Sequence, residues 1–272
     1  MAPLNKKFYL GVEGGGTKST AILVDQKDRV IVRLGGKALN YHSLGKETAK
    51  KNLVSLLAPL LKKTKGMKLY AVFGLAGLNT KQDETFYKGM VRAILPSNSL
   101  FRVVNDTRIA LEAKCPEEKN RIIIISGTGS NVYGENGNTG ASSVGWDFVL
   151  GDEGSGYDIG LKALRAAIRS WDGRTPKTLL ENLVAAQVRC RAIGDFIPKV
   201  YRVFHEKTPT FKSYIASFAP LVDQAVRRND WAALEIRKES IEELAKGLTA
   251  VVNKLNIQNK KFCIGLTGSV WN

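Results

Sequence analysis

FYLGVEGGGTKSTAILVD occupies residues 8–25. An apolar run, Phe8 to Val12, enters a turn of Gly14, Gly15, Gly16 and Thr17, and a second run, Thr20 to Val24, leaves it. Both runs have strand length and β-rich composition, which predicts a hairpin with glycines at its tip. Glycine reaches positive φ and lets backbone N–H groups approach a ligand with no Cβ in the way. Consecutive N–H groups in such a turn make a concave anion site. The turn from Gly14 to Lys18 is therefore a candidate phosphate cradle, with a plain glycine-rich hairpin as the alternative. Glu13, at the end of the first strand, places a carboxylate where it could hold Mg²⁺ directly or through water.

Further along, Val30–Leu34 reads as a third strand ending at Gly35-Gly36, and Asn40-Tyr41-His42 as a loop. Leu44–Lys63 has helical apolar spacing with Gly66 as a stop signal. Leu69–Phe73 is a strand running into Gly74-Leu75-Ala76-Gly77, Thr85–Leu95 a helix, and Leu100–Val104 a strand ending at Asn105-Asp106. Three strands followed by helix–strand–helix–strand predict a mixed sheet with covering helices.

The pattern then restarts. Arg121–Ile125 is the continuous apolar run of a buried central strand. It enters Ser126-Gly127-Thr128-Gly129-Ser130 and leaves through Asn131-Val132-Tyr133, a second strand–glycine turn–strand device. A third such run, Phe262–Leu266, enters Thr267-Gly268-Ser269. Between them lie helical stretches at 156–170, 177–188, 193–204, 211–228 and 231–255. Two halves, 1–115 and 116–272, each opening on a glycine hairpin, suggest an internal duplication about a shared cleft. The glycines fit neither common nucleotide fingerprint. Gly127-Thr128-Gly129 lacks a third glycine at Val132 and is followed by a strand, and Gly16-Thr17-Lys18-Ser19 lacks the spacing of a phosphate-binding loop.

Composition narrows the partners. The chain has 272 residues, 44% hydrophobic and 24% charged, as in a globular protein with a sizeable core. Its net charge of +16 comes from scattered basic pairs such as Lys50-Lys51 and Arg227-Arg228, not a basic block with interleaved aromatics. A surface that attracts anionic substrates fits better than nucleic-acid binding. No apolar stretch is long enough to span a bilayer, and the N-terminus lacks a signal-peptide core. Cys115, Cys190 and Cys263 lie far apart, which suggests buried small hydrophobes in a reducing compartment, neither a zinc site nor a disulfide framework. The cytoplasm is the expected location.

Two further places carry candidate chemistry. Asp106 follows a strand and precedes a helical pattern, so it reads equally as a helix N-cap or as a general base taking a proton from an attacking hydroxyl. In Gly151-Asp152-Glu153-Gly154-Ser155-Gly156 a carboxylate stands among glycines just before a helix, suited to sugar hydroxyls or to the helix dipole. Trp146 reads more readily as core than as a ligand platform.

Taken together, these residues resemble the BadF/BadG/BcrA/BcrD ATPase family, and within it the N-acetylglucosamine kinase-like group. Those proteins share the α/β fold of acetate kinases, sugar kinases, heat-shock chaperones and actin: two ribonuclease H-like domains, mixed sheets flanked by helices, with a cleft between. The resemblance rests on Gly11-Val12-Glu13-Gly14-Gly15-Gly16-Thr17, Ser126-Gly127-Thr128-Gly129-Ser130, Gly145-Trp146, Leu150 through Tyr157, and Gly265 through Trp271. It implies a kinase that uses ATP and Mg²⁺ to phosphorylate an amino sugar, N-acetylglucosamine first, at its 6-hydroxyl. Asp106 would be the catalytic base. Asn40, Gly129 and Asp152 would contact the sugar with Gly77 and Trp146 nearby. The glycine turns, with Gly127, Thr128, Gly268 and Ser269, would hold ATP. No nucleic acid or membrane is expected as a partner, and a homodimer is left open.

Departures from the family pattern bear on the pocket. Asp158 stands where relatives often have Trp, and Asp147 where they often have Gly. Relatives also continue past the adenosine motif. The resemblance therefore implies a shortened chain with an apolar strip exposed on the first domain and one adenine wall missing. A glucosamine or broad-specificity hexose kinase, an iron–sulfur activator ATPase and a non-catalytic sugar or nucleotide sensor are the alternatives. The scattered cysteines argue against the activator.

Overall fold

The structure, a computed structural model, describes residues 7–64, 67–191, 193–206 and 208–271. The chain forms two compact units, Met1–Ala110 and Leu111–Asn272. In the first, β1 (Phe8–Gly14) pairs antiparallel with β2 (Lys18–Asp25), and β2 with β3 (Val30–Lys37). On its other edge β1 runs parallel to β4 (Leu69–Leu75), which runs parallel to β5 (Leu100–Asn105). The sheet order is β3-β2-β1-β4-β5. Between the strands come α1 (Tyr41–Leu44), α2 (Lys46–Thr64) and α3 (Lys81–Arg92), and α4 (Asp106–Lys114) follows β5. Leu53, Leu57 and Leu60 of α2 and Tyr87 and Val91 of α3 pack on Leu10, Val12, Leu23 and Phe73 of the sheet. Alternation along the strands puts Tyr9, Val72 and Leu100 on the opposite face, where they are exposed.

The second unit repeats the opening of the first. β6 (Asn120–Ser126) pairs antiparallel with β7 (Ser130–Asn136), β7 with β8 (Thr139–Ser143), and β6 runs parallel to β9 (Cys263–Thr267). After β8 come α5 (Asp147–Leu150), α6 (Gly156–Trp171), α7 (Leu179–Val188), α8 (Phe196–Glu206), α9 (Thr208–Ala216), α10 (Ala219–Val226) and α11 (Trp231–Lys254). Leu244 and Val251 of α11 pack on Ile122, Ile124 and Val132 of the sheet, while α6 to α10 build a separate helical core. Two mixed sheets flanked by helices are the expected class.

Several local expectations need correction. β3 does not stop at Gly35-Gly36 but passes through them to Lys37, because those residues pair with Thr20 and Ser19. A Cβ on Gly36 would lie 2.8 Å from Ser19 Oγ, so glycine is what lets the strands close there. α3 starts at Lys81, ahead of the expected Thr85, because Thr80 and Asp83 form a reciprocal capping box. The helix expected over 211–228 is two helices, broken at Ser217-Phe218. Pro220 near the start of α10 has no N–H for a continuous helix. β8, built from small residues of low strand propensity, exists because β7 offers it an edge. Gly66, the expected stop of α2, lies outside the described residues. Ser269–Trp271 forms a 3₁₀ turn.

The cysteine reading is overturned. Cys115 and Cys263 form a disulfide, with Cα atoms 6.0 Å apart, while Cys190 is free. Cys115 follows the last turn of α4 and Cys263 opens β9. Parallel pairing sets Cys263 opposite Arg121, whose guanidinium donates to the Cys115 carbonyl at 3.1 Å. A separation of 148 residues leaves no trace in the spacing, and only the sheet brings the thiols together.

Candidate active site

In the first unit the candidates gather at the carboxyl ends of parallel strands, the usual place for ligands in such sheets. Gly14, Leu75 and Asn105 lie in one row across β1, β4 and β5. The turn after β1 is held on three sides: Gly15 N–H donates to Lys18 O at 2.9 Å, Ala76 N–H to Gly14 O at 2.8 Å and Leu39 N–H to Gly15 O at 3.1 Å. A Cβ on Gly14 would strike Leu75 at 2.6 Å and Leu39 at 2.8 Å, so this corner admits glycine alone. Gly16, Thr17 and Lys18 are exposed. Asn40 caps α1, its Oδ1 accepting from His42 N–H at 3.0 Å. That same oxygen lies 2.5 Å from where a Cβ on Gly77 would stand, and Gly77 has φ +80°. Asn40 and Gly77 are thus adjacent. His42 Nε2 lies 3.1 Å from the Gly77 carbonyl and 2.9 Å from Asp83 Oδ1.

Asp106 stands one residue beyond that row, in the first turn of α4. The capping bond of that helix belongs to its neighbour: Asn105 Oδ1 accepts from Thr107 N–H at 3.0 Å and Thr107 Oγ1 at 2.7 Å, and Asn105 Nδ2 donates to Leu78 O at 3.0 Å. Burial pushes the Asp106 carboxyl up to about 6. The nearby Glu13 carboxylate pushes the same way, while the backbone N–H groups of Thr107 and of Asp106 itself pull back. A carboxylate poised near neutrality is what a general base requires. Glu13 lies close enough to Asp106 for its charge to be felt there. Among the described residues no group of three or more potential metal ligands occurs.

In the second unit the turn between β6 and β7 is threaded into the segment before α6. Gly127 N–H donates to Gly129 O at 2.9 Å, and Gly127 O accepts from Gly156 N–H at 2.7 Å. Ser126 Oγ donates to Gly154 O at 2.6 Å and Ser130 Oγ to Glu153 O at 2.8 Å. Gly268 lies against Ser126, whose carbonyl would be 2.1 Å from a Cβ there, and Ser269 N is 3.8 Å from the Cβ position of Gly127. The glycine turn and Thr267-Gly268-Ser269 therefore share one corner at the ends of β6 and β9.

Asp152 is 6% exposed, with Oδ1 accepting weakly from Ser130 N–H at 3.4 Å. Lys212 Nζ approaches Oδ2 to 2.6 Å as an ion pair, yet Oδ2 has no well-aligned hydrogen-bond donor. A buried carboxylate oxygen in that state has capacity for a donor from outside the chain. Trp146 is 72% exposed, which overturns its reading as core.

A profile of the BadF/BadG/BcrA/BcrD ATPase family matches residues 10–272. The chain belongs to this family. An N-acetylmuramic acid/N-acetylglucosamine kinase of Clostridium acetobutylicum is 35% identical over 98% of this chain and 86% of its own length. An N-acetyl-D-glucosamine kinase of Dictyostelium discoideum is 28% identical over 97% of this chain and 86% of its own. Among solved structures, a provisionally named N-acetylglucosamine kinase from Chromobacterium violaceum aligns with a TM-score of 0.76 at 20% identity. That alignment covers 98% of this chain and 89% of the other. A ROK family glucokinase from Streptomyces griseus, in complex with glucose and AMPPNP, aligns at 0.55 and 18% identity, over 97% and 83%. At those identities the likeness is one of fold.

Within this family member, two groups escape a reading by motif. Asn105 is legible only as the end of a strand, although Asn is itself among the preferred helix N-cap residues. Lys212 lies in no motif, and no local pattern singles it out.

Proposed function

We propose that the chain transfers the γ-phosphoryl group of ATP to the 6-hydroxyl of an amino sugar, N-acetylglucosamine first. The observation that carries this reading is Asp106, a carboxyl raised to about 6 on the strand edge that also carries the glycine turn. Asp106 takes the proton of the attacking hydroxyl. The backbone N–H groups of residues 14–18 and 127–129 stabilise charge on the phosphoryl oxygens, with Lys18 adding a cation. Gly268 and Ser269 border the adenosine. Glu13 would hold Mg²⁺, which when bound neutralises phosphate charge. Asn40 and Gly77 in the first unit, and Gly129, Trp146 and Asp152 in the second, are the candidate sugar contacts. The names of the Clostridium and Dictyostelium relatives favour an amino sugar over a plain hexose. A homodimer is left open, and sedimentation velocity decides it.

A coupled ADP-release assay over N-acetylglucosamine, N-acetylmuramic acid, glucosamine and glucose tests the reading. Turnover is expected with the N-acetylated sugars. Turnover confined to glucosamine or glucose would move the substrate class, and tight sugar binding without turnover would make the chain a sensor.

A further inference from the structure

Lys212 sits on α9, whose place is set by a close helix crossing. A Cβ on Gly160 of α6 would lie 2.1 Å from the Ile215 carbonyl, so glycine there lets α9 press against α6. One turn upstream, Lys212 Nζ comes within 2.6 Å of Asp147 Oδ1 and 2.6 Å of Asp152 Oδ2. It is also 3.1 Å from the position a Gly129 Cβ would occupy, and Asp152 Oδ2 is 2.9 Å from the same point. Glycine, carboxylate and ammonium converge on one spot.

Electrostatics fit a standing role. Burial opposes the Lys212 charge, but close pairing with the Asp147 and Asp152 carboxylates more than offsets it and holds the ammonium above the ordinary lysine value. Burial likewise opposes the Asp147 charge, and Lys212 outweighs it, holding that carboxyl below its usual range. Asp147 has φ +66°, a left-handed conformation natural to glycine and next most readily taken by Asn or Asp. An aspartate there accepts the strain and gains a contact that glycine could not make. Its partner fastens the segment carrying the exposed Trp146, Val149 and Leu150.

We propose that Lys212 is a positioning residue for sugar recognition. Its ammonium pairs with the buried Asp152 carboxylate and leaves Oδ2 able to accept a sugar hydroxyl, and through Asp147 it ties the 146–150 segment beside that carboxylate. The inference rests on Asp152 being a sugar contact.

Steady-state kinetics with N-acetylglucosamine on Lys212→Met, Lys212→Arg and Asp147→Asn test it. Losing a charge-assisted contact should raise the sugar KM roughly 10- to 100-fold in Lys212→Met, with the ATP KM within about twofold of wild type. Lys212→Arg should restore most of the loss, and Asp147→Asn should show a smaller rise. An unchanged sugar KM in Lys212→Met, or an equal rise in both KM values, would overturn the inference and leave the kinase reading standing. If Lys212→Met fails to fold, calorimetric sugar titration of the other two variants decides. Wild-type affinity in Asp147→Asn, or none in Lys212→Arg, refutes the role. A wild-type protein that neither binds nor phosphorylates any sugar defeats the kinase reading, and this inference with it.

Discussion

The proposed reaction turns on the Asp106 side chain. Its carboxyl is raised to about 6 from an ordinary 3.8, so the folded protein favours the protonated form. The sign follows by linkage. Below about pH 4 both folded and unfolded chains carry the proton, and the shift has no effect on stability. Between about pH 4 and 6 the unfolded chain has released the proton that the folded state retains, so stability falls across that window and the loss is complete above about 6. Asp106→Asn is therefore expected to melt at or above wild type at pH 8, an advantage that fades towards pH 4. Phosphoryl transfer should meanwhile fall by roughly 10² or more. Calorimetry and single-turnover rates check both, and near-normal turnover would reduce Asp106 to a helix residue. Glu13→Gln removes a neighbouring negative charge that raises Asp106, so the acidic limb of the rate profile should move to lower pH. The Mg²⁺ concentration for half-maximal rate should rise more than the sugar requirement. An unmoved limb with unmoved Mg²⁺ dependence would take Glu13 out of the site.

Among the elements, α6 and α9 show how packing serves the site. Gly160→Ala places a methyl 2.1 Å from the Ile215 carbonyl, so the helices must separate. Overpacking of that kind costs about 1–3 kcal/mol. Because α9 carries Lys212, the sugar KM should rise together with the drop in urea midpoint. A drop in midpoint alone would mean the crossing is structural only. The disulfide joins the residue after α4 to the first residue of β9, both in the second unit. Closing a loop of 148 residues places it among bridges worth roughly 2–5 kcal/mol. Reductant should lower the urea midpoint of the wild type and leave that of Cys115→Ala unchanged. Equal midpoints for wild type with and without reductant would show that the bridge contributes nothing.

For the whole molecule, a net charge of +16 with no basic block acts as a field on the approach of anions. Raising ionic strength from about 0.05 to 0.5 M should lower kcat/KM for ATP severalfold while changing that for a neutral sugar little, since screening shortens to a few ångströms at the higher salt. Equal dependence for both would make the charge incidental to catalysis. At this scale the division between legible and hidden is clear. The hairpin from Phe8 to Asp25, its echo at 120–136, the strand at 263–267 and the capped helices follow from neighbours a few residues apart, where apolar period and glycine placement act directly. Those same turns and Asp106 mark the candidate site for the same reason. What could not be read there depends on residues that meet only after the layers pack: Cys115 with Cys263, Lys212 with Asp147 and Asp152, and Asp106 with the Glu13 charge that helps set its proton affinity. Ion pairing, desolvation and disulfide formation act through space over a few ångströms, whereas periodicity and spacing report only what lies close along the chain.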